Sequence, residues 1–200
     1  MKLTAITTMM LMTGAGAHGQ SSTAVDRSVA VCTDGEAAGF GAIHPAQMLA
    51  SKIFGGIGVR IEWRRNLRDC PADRILISLR SNTPAALYPG ALASARPYEG
   101  IHIQVFYDRI SKNPQPALVS IVLAHVLVHE ITHILQGSNG HSEQGIMKAH
   151  WNAGDYFQMR CKPLGFTDHD VLLIYRGLAA RKARTVLAMN AEMGVVVGAP

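Results

Sequence analysis

Residues 129–133 read His129-Glu130-Ile131-Thr132-His133. In a helix, residues four apart lie one turn from each other on the same face. His129 and His133 can therefore both reach one metal ion. Glu130 sits at the edge of that face, too displaced to join both imidazoles as a ligand but well placed to touch a water beside the ion. That is the mechanical content of the H-E-x-x-H pattern. Zinc held this way brings the pKa of such a water to about 7, and a carboxylate alongside takes the proton as the oxygen attacks a carbonyl carbon. The chemistry is metal-assisted hydrolysis with Glu130 as general base. The competing reading is two surface histidines on an amphipathic helix. Against it, residues 117–128 are apolar except for Ser120 and His125, and burying imidazoles and a carboxyl without a partner or a metal is costly.

A catalytic zinc keeps three protein ligands and one open position. His141 is the leading third candidate, because Gly137 and Gly140 let the chain turn back after the helix. His150, Glu143 and Asp155 are lesser candidates, and Asp168 and Asp170 are the carboxylates that a later helix offers. His125 lies one turn before His129. It is eight residues from His133, about 12 Å at the helical rise, so three collinear imidazoles cannot chelate one ion. His125 reads as a core or supporting residue. His102, Tyr107, His150 and Tyr156 are candidate contacts to a substrate or a developing oxyanion, though each type is more often structural.

The elements that must position these residues are legible from periodicity. Strands are expected over residues 29–32, 59–64, 74–80 and 100–110, the latter three from alternation of apolar and polar residues. A helix is expected over 45–54, with Ile43, Met48, Leu49, Ile53 and Phe54 on or near one face. Residues 81–97 carry three prolines and a glycine and read as loop. The apolar run 117–128 is too short for a bilayer span and continues into the histidine motif, so it reads as a buried helix. Gly137 is its expected C-cap. A last helix begins at about Thr167, its N-cap, with Asp168 and Asp170 in the first turn, and runs to about Leu187.

The run from His129 to Ser142, followed by Gly145-Ile146-Met147, resembles the metzincin signature: an H-E-x-x-H helix, a glycine where it breaks, a third histidine, and a downstream turn containing methionine. The resemblance implies that His129, His133 and His141 are zinc ligands, that Glu130 is the general base, and that Met147 is the Met-turn residue beneath the metal. It implies an α+β zincin fold with a mixed twisted sheet of about four to five strands, an active-site helix and a C-terminal helix. In that fold the strand before the active-site helix is an edge that pairs with extended substrate, a role that would fall to residues 100–110. The loop departs from the family spacing. Gly137 follows His133 by four residues and His141 follows Gly137 by four, two residues longer in all. Gly140 offers a second turning point. Ala149 stands where some members keep a zinc-proximal tyrosine.

The rest of the chain sets the context. Of 200 residues, 48% are apolar and 16% charged, a composition that forms a core and excludes a disordered chain. The net charge of +5 is spread out rather than gathered into a basic patch, so nucleic acid is not an expected partner. Met1-Lys2, a mostly apolar run over 3–12 and Gly14-Ala15-Gly16-Ala17 read as a signal peptide over residues 1–19. A single catalytic domain over 20–200 is expected, secreted or periplasmic, monomeric and without a stable membrane anchor. Of three cysteines, at most one pair forms, and Cys32–Cys70 is the expected one. The expected function is a secreted zinc endopeptidase acting on a peptide or protein. The alternatives are a zinc-binding domain without turnover and a non-peptidase zinc amidohydrolase.

Overall fold

The structure is a computed structural model and describes residues 27–34, 41–65, 67–112 and 115–196. The signal peptide expected over 1–19 lies outside the described residues. Five strands form one mixed sheet: β1 (Ser28–Thr33), β2 (Arg60–Arg64), β3 (Ile75–Arg80), β4 (Ala93–Arg96) and β5 (His102–Phe106), in the order β2-β1-β3-β5-β4. All pairings are parallel except β4 with β5. Alternation along the strands gives the sheet one core face. Val29 and Val31, Ile75, Ile77 and Leu79, and Ile103 and Val105 are buried, while Ser78, His102 and Gln104 stay partly exposed. This is the α+β architecture expected from the sequence. The expected disulfide joins Cys32 on β1 to Cys70, and Cys161 is free and exposed. Closing a loop of this length stabilises the fold by about 4 kcal/mol on chain-entropy grounds.

Helix α1 (Ile43–Gly55) packs against the long helix α3 (Pro116–Gln136). Its buried face is Ile43, Ala46, Gln47, Ala50, Ile53 and Phe54. Met48, expected on or near that face, is 61% exposed; small alanines make the close contact instead. Helix α3 is long and apolar enough to cross a membrane, yet 83% of that stretch is buried inside the protein, as in the core helix of a globular domain. It opens with a proline in its first turn and ends at Gly137, which is left-handed (φ 67°) and donates to His133 O at 2.9 Å.

Three expectations are corrected. Residues 100–110 are not the sheet edge: β5 lies inside the sheet between β3 and β4, and residues 107–110 form a short helix, α2 (Tyr107–Ile110). The edge on this side is β4, from a segment read as loop, and β2 is the opposite edge. Ala-Ser-Ala-Arg has little strand propensity of its own, and pairing with β5 makes it a strand. Arg109 organises the approach to it. Its guanidinium lies 4.6 Å from the Phe106 ring centroid and donates to Tyr88 O, Ala91 O, Leu87 O and Pro84 O at 2.6 to 3.3 Å. Asp108 adds bonds from Thr83 N and Oγ1. The segment after Trp151 also contains an unexpected helix, α4 (Ala153–Cys161), with an Asn152–Asp155 capping box.

The last helix, α5 (Asp168–Val196), starts where expected and runs about nine residues past the expected Leu187. Thr167 Oγ1 accepts from Asp170 N at 3.2 Å as its N-cap. It crosses the end of α3 at Gly177, where a Cβ would lie 1.6 Å from Leu135 O. Backbone meets backbone there, two residues beyond His133. Gly177→Ala is therefore expected to force the helices apart and destabilise the protein by more than about 2 kcal/mol, read as a lower denaturation midpoint. An unchanged midpoint would show that the crossing yields without cost.

Candidate metal centre

Helix α3 carries His129, Glu130 and His133 in its buried portion, all with no more than 9% exposure. The Nε2 atoms of His129 and His133 lie 3.0 Å apart. Two nitrogens on one tetrahedral zinc, each at about 2.0–2.1 Å, are about 3.3 Å apart. His141 folds back onto both, its ring centroid 5.3 Å from that of His129 and 4.9 Å from that of His133. One nitrogen from each of the three histidines fits within a 4.8 Å span. Among the described residues no other set of histidines, cysteines and carboxylates gathers this way. The loop is two residues longer than the metzincin spacing and still delivers the third imidazole.

The hydrogen bonds fix which nitrogens are free. His129 Nδ1–H donates to Ile146 O and His133 Nδ1–H to Ser138 O, both at 2.9 Å. In a neutral ring that leaves Nε2 with a lone pair. Two lone pairs facing each other at 3.0 Å repel unless a proton or a cation lies between them. Burial lowers the pKa of His129, lowers His133 to about 4 with help from neighbouring His129, and lowers His141. The imidazoles are thus neutral at pH 7, the state a metal requires, and the donor set fits zinc.

Burial pushes the Glu130 carboxyl up to about 7, against the opposing pull of the Ala95 backbone N–H. A carboxyl in that range exchanges protons readily at neutral pH. Glu130 and the three histidines line a cleft of about 530 Å³ that is also bordered by residues 89–95, Trp151 and Tyr156. Edge strand β4 thus forms part of the cleft wall.

Met147 is buried in a 3-10 turn, Gly145–Met147. The turn is tied both to α3 and to the loop that precedes α5. Ile146 O holds His129, and Ile146 N donates to Gly165 O at 2.8 Å. Gly145 has φ +73°, and a Cβ there would sit 2.5 Å from Gly165 O, so no larger residue fits this contact. His125 completes the circuit. It is fully buried, bonding Ile121 O through Nδ1 and accepting from Leu164 N through Nε2 at 3.1 Å. It supports the loop beside the turn and is not a ligand.

The other candidates separate by position. His150 and Tyr156 line the cleft, with His150 exposed. His102 pairs with Glu99 at 2.9 Å, outside the cleft, and Tyr107 lies on α2 against the core. Glu143 and Asp168 are exposed. Asp155 bonds Lys148 Nζ at 2.6 Å and caps α4. Asp170 is buried against Ser142 and Thr167 and is not among the three clustered residues, though its charge acts on His129. Trp151 has no role in the sequence reading. It stands edge-on to His129 (5.7 Å), His125 (6.2 Å) and Tyr156 (6.4 Å). Its place beside the Met-turn was the only local signal. Arg109 offered none, since its four carbonyl partners lie 18 to 25 residues earlier.

No family model and no curated protein sequence matches this chain. Among solved structures, archaemetzincin from Methanopyrus kandleri superposes with a TM-score of 0.57, covering 78% of this chain and 99% of that one at 14% identity. The chain therefore shares the metzincin-like fold of that structure, and it brings together three histidines, two from α3 and one from the loop that follows it.

Proposed function

We propose that this chain is a secreted zinc-dependent endopeptidase, with His129, His133 and His141 holding the metal and Glu130 acting as general base. The observation that carries the reading is the cluster itself: three neutral imidazoles converging beside a buried carboxyl, in a cleft bordered by a sheet edge. Zinc, when bound, supplies a Lewis acid that polarises the scissile carbonyl and acidifies the attacking water. Glu130 accepts the proton of that water on its carboxylate and later hands it to the leaving amine. Ile146 O and Ser138 O hold the two helical imidazoles in the required tautomer. Strand β4 pairs with an extended stretch of the substrate peptide, the β-augmentation mode of recognition. The N-terminal Lys2 followed by an apolar run supports export, and the Cys32–Cys70 disulfide supports an oxidising compartment.

Glu130→Gln should lower peptide hydrolysis by about 10²–10⁴-fold while zinc still binds. Zinc retained with activity unchanged would remove Glu130 from the reaction, and a wild-type protein that cleaves nothing in a broad peptide mixture would refute the endopeptidase reading. His141→Ala should weaken zinc binding by more than the about 10–100-fold typical of losing an outer hydrogen-bond partner, measured by competition with a chelating dye. Arg109→Met keeps the aliphatic stem over Phe106 but releases four carbonyls. It should raise KM about tenfold with little change in kcat, the signature of lost substrate binding. A fall in kcat alone would place Arg109 outside substrate recognition.

A further inference from the structure

We infer that the half-buried Ser142–Asp170 hydrogen bond is the device that positions the third ligand, making Ser142 and Asp170 positioning residues for His141. The inference rests on the zinc-site reading above and concerns how this chain completes that site.

His129 and His133 have their orientation set by a helix and by Nδ1 bonds to carbonyls. His141 has neither. It lies in a loop, it is exposed, and among the described residues its ring makes no hydrogen bond. Its direction depends on the backbone that carries it. After Gly137 the loop is held near its start by Ser138 O, which accepts from His133. It is held again at Ser142, the residue after His141. Ser142 N donates to Met147 O at 2.8 Å, and Ser142 Oγ donates to Asp170 Oδ1 at 2.5 Å.

The anchor is firm. Asp170 is 2% exposed. Its other oxygen accepts from Thr167 N at 2.9 Å and Thr167 Oγ1 at 2.7 Å. The carboxylate is thereby locked to the first turn of α5, and α5 is locked to α3 at Gly177. Hydrogen bonds to an ionised acceptor are roughly twice as strong as neutral ones. The path from α3 through α5 back to Ser142 closes a ring around the loop, so the extra length between His133 and His141 does not translate into freedom at His141. Removing the Ser142 hydroxyl leaves Asp170 with its two Thr167 donors. The fold keeps its cap while the loop loses its side-chain tie.

The test is zinc affinity of the full chain by chelating-dye competition, for wild type, Ser142→Ala, His141→Ala and the double variant, with melting temperatures of zinc-free and zinc-loaded protein. Ser142→Ala should weaken zinc binding about 10–100-fold and lower chiefly the zinc-loaded melting temperature. In the His141→Ala background it should cost nothing further, because a positioning effect vanishes with the group positioned. The inference is overturned if Ser142→Ala stays within about threefold of wild type, if it costs as much without His141 as with it, or if both melting temperatures fall equally. If His141→Ala alone leaves zinc affinity unchanged, the ligand assignment itself fails, an outcome separate from these.

Discussion

Two buried imidazole nitrogens 3.0 Å apart on an apolar helix are an electrostatic problem. Each ring has spent its one proton on a carbonyl, so both Nε2 atoms present lone pairs. Leaving a buried polar group unmet costs about 1–3 kcal/mol, and a nearly buried Glu130 adds a carboxyl held partly neutral. A third imidazole from a loop raises the cost again unless a cation is shared. Much of the surrounding structure can be read as the means of holding these groups against that penalty until a cation relieves it.

The holding is done by contacts that larger side chains would spoil. Gly145 lets the methionine turn reach Gly165 O, and Gly177 lets α5 rest on the backbone of α3. Through the first contact, His125, Leu164, Gly165, Ile146 and His129 form one continuous line that leaves α3 at His125 and returns to it at His129 Nδ1. Through the second, the start of α5 reaches the loop that follows His141. Rigid neighbours of this kind are how ligands acquire orientation before a metal arrives.

The parts of the site that depend on spacing along one helix were readable from sequence. His129, Glu130 and His133 needed only the helical repeat, Gly137 its left-handed cap, and Thr167 its place before two aspartates. The Cys32–Cys70 pair was likewise anticipated. What depends on a partner far along the chain was not readable. Ala93–Arg96 is a strand because β5 lies beside it, not because of its residues. Asp170 was a candidate metal ligand by type, and only the structure shows it bonded to Ser142, 28 residues earlier. Helix α4 is an intermediate case: Asn152 and Asp155 spell a capping box, a local signal that a polar, weakly periodic stretch conceals.

The proposed site has three histidine ligands and an open fourth position. Zinc K-edge X-ray absorption on the zinc-loaded full chain tests it most directly. Three imidazole nitrogens at about 2.0–2.1 Å and one oxygen from solvent are expected. A shell containing sulfur, a fourth imidazole such as His150, or a protein carboxylate in place of His141 would contradict it.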